Sequence, residues 1–382
     1  MKRKEGFWVS LLISAAVLFL ITAATYPQQP SLTWLGTLPN YVRTDARGVS
    51  SDGSVVVGGA WNASGQFRAF RWTVIDGIQE LGTLAGGSSR AFAVSSDGTI
   101  VVGRADNTTW SWRAFRWTAE EGMQDLGTLG GASSAAFGVS LDGRVVVGNA
   151  ETRAFWFHAF RWTAEEGMQD LGTLGGLESG AHDVSSDGLV VVGWAHNAAG
   201  QQRAFRWTAA DGMQDLGTLG GSQSKALGIS SDGLVVVGWA HNAAGQQRAF
   251  RWTAADSMQD LGTPPGYIGG WAYKASADGS VVVGVVHNNA GDARAFYWSK
   301  DRGIEDLNVS YANLLTPGSF LERATAISPD GRYIVGTGYN AATGRYEAFL
   351  IDTGFPLRGD VDRDGCVDDA DLLRVLFTFG ER

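Results

Sequence analysis

Between residues 32 and 352 the apolar residues fall in short runs divided by glycine-rich polar stretches. One unit shows the scheme. Ala135 to Ser140 forms a first strand, ended by a turn at Asp142-Gly143. Val145 to Gly148 forms a second, a β-branched run too short for a helix. In the third, His158 to Thr163, Ala159 and Arg161 alternate with Phe160 and Trp162, so the two large rings share one face of the strand. Met168 to Gly172 is the fourth, followed by Gly175-Gly176, and the LGTLGG segments here and in other units read as turns. The Asp-Gly pair supplies the positive φ that a two-residue hairpin turn needs.

The pattern repeats. Asp-Gly turns stand at Asp52, Asp97, Asp142, Asp187, Asp232, Asp278 and Asp330, spaced by 45, 45, 45, 45, 46 and 52 residues. A tryptophan recurs at Trp72, Trp117, Trp162, Trp207, Trp252 and Trp298, with Ile351 in the seventh place. Trp194 to Gly217 and Trp239 to Gly262 differ only at Gly212 versus Ser257. Four strands in one such period make the blade of a propeller. After the seventh Asp-Gly only a second and a third strand remain, near Tyr333 to Gly336 and Ala348 to Ile351. The missing fourth strand lies at the other end, where Leu32 to Leu38 (LTWLGTL) matches the fourth strands of the other units. Pairing the two ends removes the exposed edges of an open array. The expectation is an all-β fold, a seven-bladed β-propeller over residues 32–354 closed by an N-terminal strand. Phe70 and Trp72 and their equivalents are expected in its core.

Composition adds location more than task. Of 382 residues 44% are hydrophobic, 18% are charged and 53 are glycine, which suits short strands and tight turns. The net charge of −9, with no basic stripe, argues against a nucleic-acid partner. The single cysteine, Cys366, excludes an intramolecular disulfide. Residues 1–25 open with Lys2, Arg3 and Lys4, followed by an apolar run from Phe7 to Ala24, as in a signal peptide or a membrane anchor. Either places the rest outside the cytoplasm, secreted or held at the outer side of the membrane by residues 7–24, with residues 26–31 as a spacer.

Residues 355–382 carry a different signal. Asp360, Asp362 and Asp364 fall at positions 1, 3 and 5 of a calcium loop, and Gly365 takes the sharp turn at 6. Cys366 offers its backbone carbonyl, Asp368 acts through water and Asp371 closes the loop at position 12, ahead of a helix from Leu372 to Phe379. The expected cofactor is calcium.

The blades resemble HAF repeats, through His158-Ala159-Phe160 and the Arg-Ala-Phe triplets at Arg68, Arg113, Arg203, Arg248 and Arg294. Ser328 to Gly336 (SPDGRYIVG) also resembles TolB-type propeller repeats. That resemblance implies an extracellular protein and no particular activity. Asp at loop position 12, with no entering helix after Pro356, makes the tail resemble a single dockerin type I repeat. The family implies a cohesin-like or cell-surface partner, often in polysaccharide breakdown. This tail holds one loop where dockerins have two, with Asp369 and Ala370 at the positions where the family often has Ser-Thr.

No Ser/His/Asp or Cys/His arrangement and no phosphate-cradling loop is visible. One position, just beyond each second strand, varies while the scaffold repeats: Trp61, Asp106, Glu151, His196, His241, His287 and Tyr339. These residues are expected to ring one mouth of the channel, as solvated loop residues or as a ligand or metal site. The sequence therefore points to a non-catalytic extracellular binding or scaffold protein with a possible polysaccharide ligand. The alternative is a polysaccharide-active enzyme, a glycoside hydrolase or lyase, which would need two carboxylates across the mouth; Asp106 and Glu151 are the acids available in the ring.

Overall fold

A computed structural model describes residues 29–354. The expectations for residues 1–25 and 355–382, including the calcium ligands Asp360, Asp362, Asp364, Cys366, Asp368 and Asp371, lie outside the described residues. Ser31–Asp352 is one compact unit of seven four-stranded antiparallel sheets. In the unit dissected above the strands are Gly130–Val139, Val146–Thr152, Phe157–Thr163 and Gly167–Asp170. The first strand of each sheet contacts the first strand of the next, all the way round, with Phe320–Ile327 meeting Tyr41–Val49. These are the inner strands around the central channel. Among the described residues no helix is long and apolar enough to cross a membrane.

Closure occurs as the ends of the array require. Ser31–Trp34 is the outer strand of the last blade, pairing Leu32 with Ile351 and Trp34 with Phe349. The pairing is shorter than Leu32 to Leu38. After the bond from Leu35 N–H to the Ala348 carbonyl (2.9 Å) the chain turns at Gly36, φ 73°, and Leu35 and Leu38 enter the core instead.

That core is seven clusters, one at each junction between neighbouring blades. Because both faces of a blade are covered, both faces of the third strand are apolar at its centre: Ala159 and Phe160 have no solvent exposure. The tryptophans differ from expectation. Trp72 is buried, whereas Trp117, Trp162, Trp207, Trp252 and Trp298 are only half-buried. Trp162 packs on the core cluster from the end of its strand, paired with Val146 and Met168, where water still reaches the ring. The fully buried ring in each blade is the phenylalanine.

Its partner is the glycine that ends each Val-Val-Gly run. The inner strand bulges between Ala136 and Gly138, and a Cβ on Gly148 would lie 1.9 Å from the Ala135 carbonyl oxygen. Glycine there is a packing requirement.

The turns are built identically. The Ser140 hydroxyl donates to Asp142 Oδ1 (2.6 Å), which also accepts from Arg144 N–H (3.0 Å), while Val145 N–H donates back to Ser140 Oγ (3.0 Å). A second hydroxyl stitches blade to blade: Ser179 accepts from Ala159 N–H (2.8 Å) and donates to the Gly172 carbonyl (2.5 Å). At the closure Thr44 does the same work, accepting from Ala348 N–H (2.9 Å) and donating to the Gly36 carbonyl (2.7 Å).

Two local features differ from the sequence reading. Gly130, Gly175 and Gly220 are not turns but the first residues of inner strands. The 52-residue spacing before the last blade accommodates a short helix, Leu307–Ser310, and a 3-10 turn, Ala312–Leu314. Asp306 caps that helix through Asn308 N–H (2.8 Å), and Leu307 is buried.

Candidate functional site

The channel has two unlike ends. At the Asp-Gly end all seven blades line a cavity of about 90 Å³, with Arg47, Phe92, Asp183 and Lys274 among the walls. The bulged residues of consecutive inner strands stack there: Phe92 lies 5.0 Å from Phe137, and Phe137 lies 5.1 Å from His182. Burial, and then the nearby Lys225 charge, hold the His182 imidazole well below its usual pKa.

The inner strands are also cationic. They hold Arg43, Arg47, Arg90, Lys225, Lys274 and Arg323 against Asp45, Glu178, Asp183 and Glu322, in a chain whose net charge is −9. Asp45 is buried between Arg47 (2.6 Å) and Arg90; burial alone would raise its carboxyl, but the two arginines outweigh that and hold it below the usual range. Asp183 binds Lys274 at 2.6 Å and accepts from Ile229 N–H at 3.0 Å. Burial lowers Arg90 to about 10 and Lys225 to about 8. The sequence shows no basic stripe because these cations are scattered over the inner strands of five blades, and closure of the ring gathers those strands round one channel.

The variable residues Trp61, Asp106, Glu151, His196, His241, His287 and Tyr339 lie on the second strands, near their ends, rather than beyond them. They do flank the starts of the inner strands. A Cβ on Gly131, Gly176 or Gly221 would come within 2.6 Å of Glu151, His196 or His241 respectively, which explains the paired glycines. Each side chain is engaged locally. Glu151 Oε2 accepts from Ala132 N–H (2.8 Å) and Ser133 N–H (3.1 Å). His196 sits 5.3 Å from Trp194 and 3.8 Å from Glu178, His241 sits 5.5 Å from Trp239, and His287 sits 6.3 Å from Trp271. Asp106 is buried, which raises its pKa. Among the described residues no three His, Cys, Asp or Glu side chains gather to hold a metal ion, so the three histidines do not form a centre.

Trp61 and Tyr339 belong to something larger. Phe320 stacks on Tyr339 (5.7 Å), and Tyr339 meets Tyr346 edge-on (5.5 Å). The Arg43 guanidinium lies 5.1 Å from Tyr346 and 5.7 Å from Trp61, and Arg90 lies over the same Trp61 at 4.6 Å. Trp61 meets Phe67 (5.7 Å), Phe67 meets Trp112 (6.3 Å), and Arg104 covers Trp112 at 4.1 Å. Rings and guanidinium groups thus alternate across three consecutive blades, the last, the first and the second, each cation drawn to the negative face of an aromatic ring. The Nε atoms of Arg43, Arg90 and Arg104 are buried without a hydrogen-bond partner. Sequence reasoning identified two positions of this belt and missed the rest, because its members sit at different positions in different repeats.

The fold is that of a seven-bladed β-propeller. No family model matches the chain, and no curated protein matches it in sequence. Solved structures do. The β-propeller domain of the Trilobed protease from Pyrococcus furiosus, which has an open velcro topology, is 12% identical at a TM-score of 0.56, covering 81% of this chain and 95% of that one. An oligogalacturonate lyase in complex with manganese is 13% identical at 0.52, covering 84% and 92%. A TolB-like propeller, the putative TolB from Agrobacterium tumefaciens, is 15% identical at 0.44, covering 86% and 99%. At such identities the likeness is one of fold.

Proposed function

We propose that this is an exported, non-catalytic binding or scaffold protein that takes its ligand on the mouth bearing the aromatic–arginine belt. The observation that carries this reading is the belt itself. A repeat scaffold needs the same residue in every blade, whereas this mouth departs from the repeat with Trp61, Tyr339, Tyr346, Arg43 and Arg104. Large rings beside incompletely bonded cations suit recognition of an anionic or aromatic-stacking ligand. The HAF-type repeats and the apolar segment at residues 7–24 support a place outside the cytoplasm. The tail would hold calcium through Asp360, Asp362, Asp364, Cys366, Asp368 and Asp371, and attach the propeller to a cohesin-like or cell-surface partner. The enzymatic alternative would draw on Asp106 and Glu151, yet Glu151 is occupied by two backbone amides and Asp106 is buried.

The test is a ligand screen with the full chain, glycans included, repeated with Trp61→Ala and with Arg144→Ala at the opposite, Asp-Gly end. Binding lost in the first variant and kept in the second is the expected result. Equal loss in both, or turnover of a bound polymer, would remove the reading.

A further inference from the structure

In six of the seven blades the hairpin turn between second and third strands has one backbone design. Its last residue but one in the turn adopts positive φ and donates its N–H to the carbonyl of the residue three before it, as Gly200 does to Asn197 (2.9 Å). Four blades put glycine there, Gly65, Gly200, Gly245 and Gly291, and the turn of the last blade ends on Gly344, also at positive φ but bonded to Asn340 four residues before it. The second and third blades, which are neighbours, put Trp110 (φ 60°) and Phe155 (φ 64°) in the same place, with the same bond to Asn107 and Thr152 at 3.0 Å each. A bulky residue in the left-handed region is strained, and glycine would relieve that strain.

Packing does not compensate. Trp110 is 72% exposed, Phe155 is 77% exposed and the adjacent Trp156 is 41% exposed. Both turns stand at the mouth described above. The Trp110 ring lies over Gly87, just ahead of the second inner strand, and the Arg153 stem lies over Gly130 at the start of the third. Each of these two blades also carries an arginine, Arg104 on the second strand of one and Arg153 in the turn of the other. Arg153 is exposed and makes no ion pair with a described residue, while Arg104 lies over Trp112, faces the charge of Asp106 without a close ion pair, and has a buried Nε without a hydrogen bond. Exposed aromatic faces offer flat apolar platforms, and unpaired guanidinium groups seek carboxylates.

We infer that Trp110 and Phe155 form a stacking site for a linear acidic polysaccharide, with sugar faces on the two rings and uronate carboxylates reached by Arg104 and Arg153. Charge complementarity selects this occupant, since Arg153 is exposed without an ion pair, Arg104 has an Nε without a hydrogen bond, and neither turn holds an acid. The inference rests on the mouth being the binding face and names the ligand class and the blades that hold it.

The test uses the full chain in affinity electrophoresis and calorimetry with alginate and polygalacturonate as acidic polymers, and mannan and xyloglucan as neutral ones. The acidic polymers should bind, and binding should weaken as salt rises. Trp110→Gly and Phe155→Gly should each reduce affinity at least tenfold while the melting temperature holds or rises, because each restores the residue the other turns use. Arg153→Ala should weaken the acidic polymers alone. Retention of wild-type affinity in both glycine variants, equal binding of neutral polymers, or capture of proteins with no polymer retained would overturn the site. A ligand lost with Trp61→Ala but indifferent to Trp110→Gly would overturn this site and leave the mouth as the binding face.

Discussion

Phe160 and Trp162 lie two residues apart on one face of a strand, yet they have different surroundings. Phe160 is fully enclosed between blades and Trp162 is half-covered. Phe160→Ala should therefore destabilise by about 3–5 kcal/mol, against about 1–3 kcal/mol for Trp162→Ala, measured by denaturant unfolding. A larger loss at Trp162 would show that the tryptophan, not the phenylalanine, anchors the blade. Alternation along the strand told which side chains share a face, but not how far along it water penetrates. Gly148 is the complement of Phe160. Its absent side chain leaves room for the Ala135 carbonyl, a backbone atom that cannot swing aside. Gly148→Ala should cost at least about 2 kcal/mol, and a stability within error of wild type would mean that the inner strand can move.

At the scale of the element, the Asp-Gly turns couple stability to pH. In Asp97, Asp142 and Asp187 the neighbouring serine hydroxyl is the main cause of a pKa below the usual carboxylate range. A depressed folded pKa stabilises the fold above the unfolded value of about 4, and that contribution is lost as pH falls through the folded value. Thermal midpoints should be level at mild pH and fall in this acid window. Asp142→Asn with Asp187→Asn should lower stability at neutral pH and flatten the acid limb; an unchanged limb would show that other carboxylates govern it. The interblade stitch gives a second test. Thr44→Val keeps the shape but leaves Ala348 N–H and the Gly36 carbonyl without their bonds, so a loss of about 1–3 kcal/mol is expected, with recovery in Thr44→Ser. Strands and turns were legible because each repeats a local pattern seven times. The helix Leu307–Ser310 was not, because it occurs once and is too short to show a period.

For the whole molecule, closure was legible from the ends of the array, while the charge of the channel was not. Net charge averages over a surface, and the inner strands carry a local excess of cations that no contiguous stretch of sequence displays. The belt was hidden because Arg43, Trp61, Arg104 and Tyr346 are not repeated positions, and the contact of Arg43 with Tyr346 joins the first and last blades only once the ring closes. Deleting residues 26–38 should strip the outer strand from the last blade and the Leu35 and Leu38 side chains from its junction with the first, giving a marked fall in melting temperature and edge-to-edge association visible in light scattering. A monomer of wild-type stability would refute the closure. The register Ser31 to Asp352 also sets the order of events in folding. The first strand of the propeller to be made must wait, unpaired, for the last. Six blades can form as hairpins of neighbouring sequence, but the final one needs a contact spanning nearly the entire chain, and such contacts form slowly. If the chain crosses a membrane as a thread, its leading propeller strand emerges with no partner. Its Leu32 and Trp34 side chains then remain uncovered until Phe349 and Ile351 arrive. The last step of maturation is then a rendezvous of the two ends, and the interval before it is when an unfinished molecule can exchange strands with another.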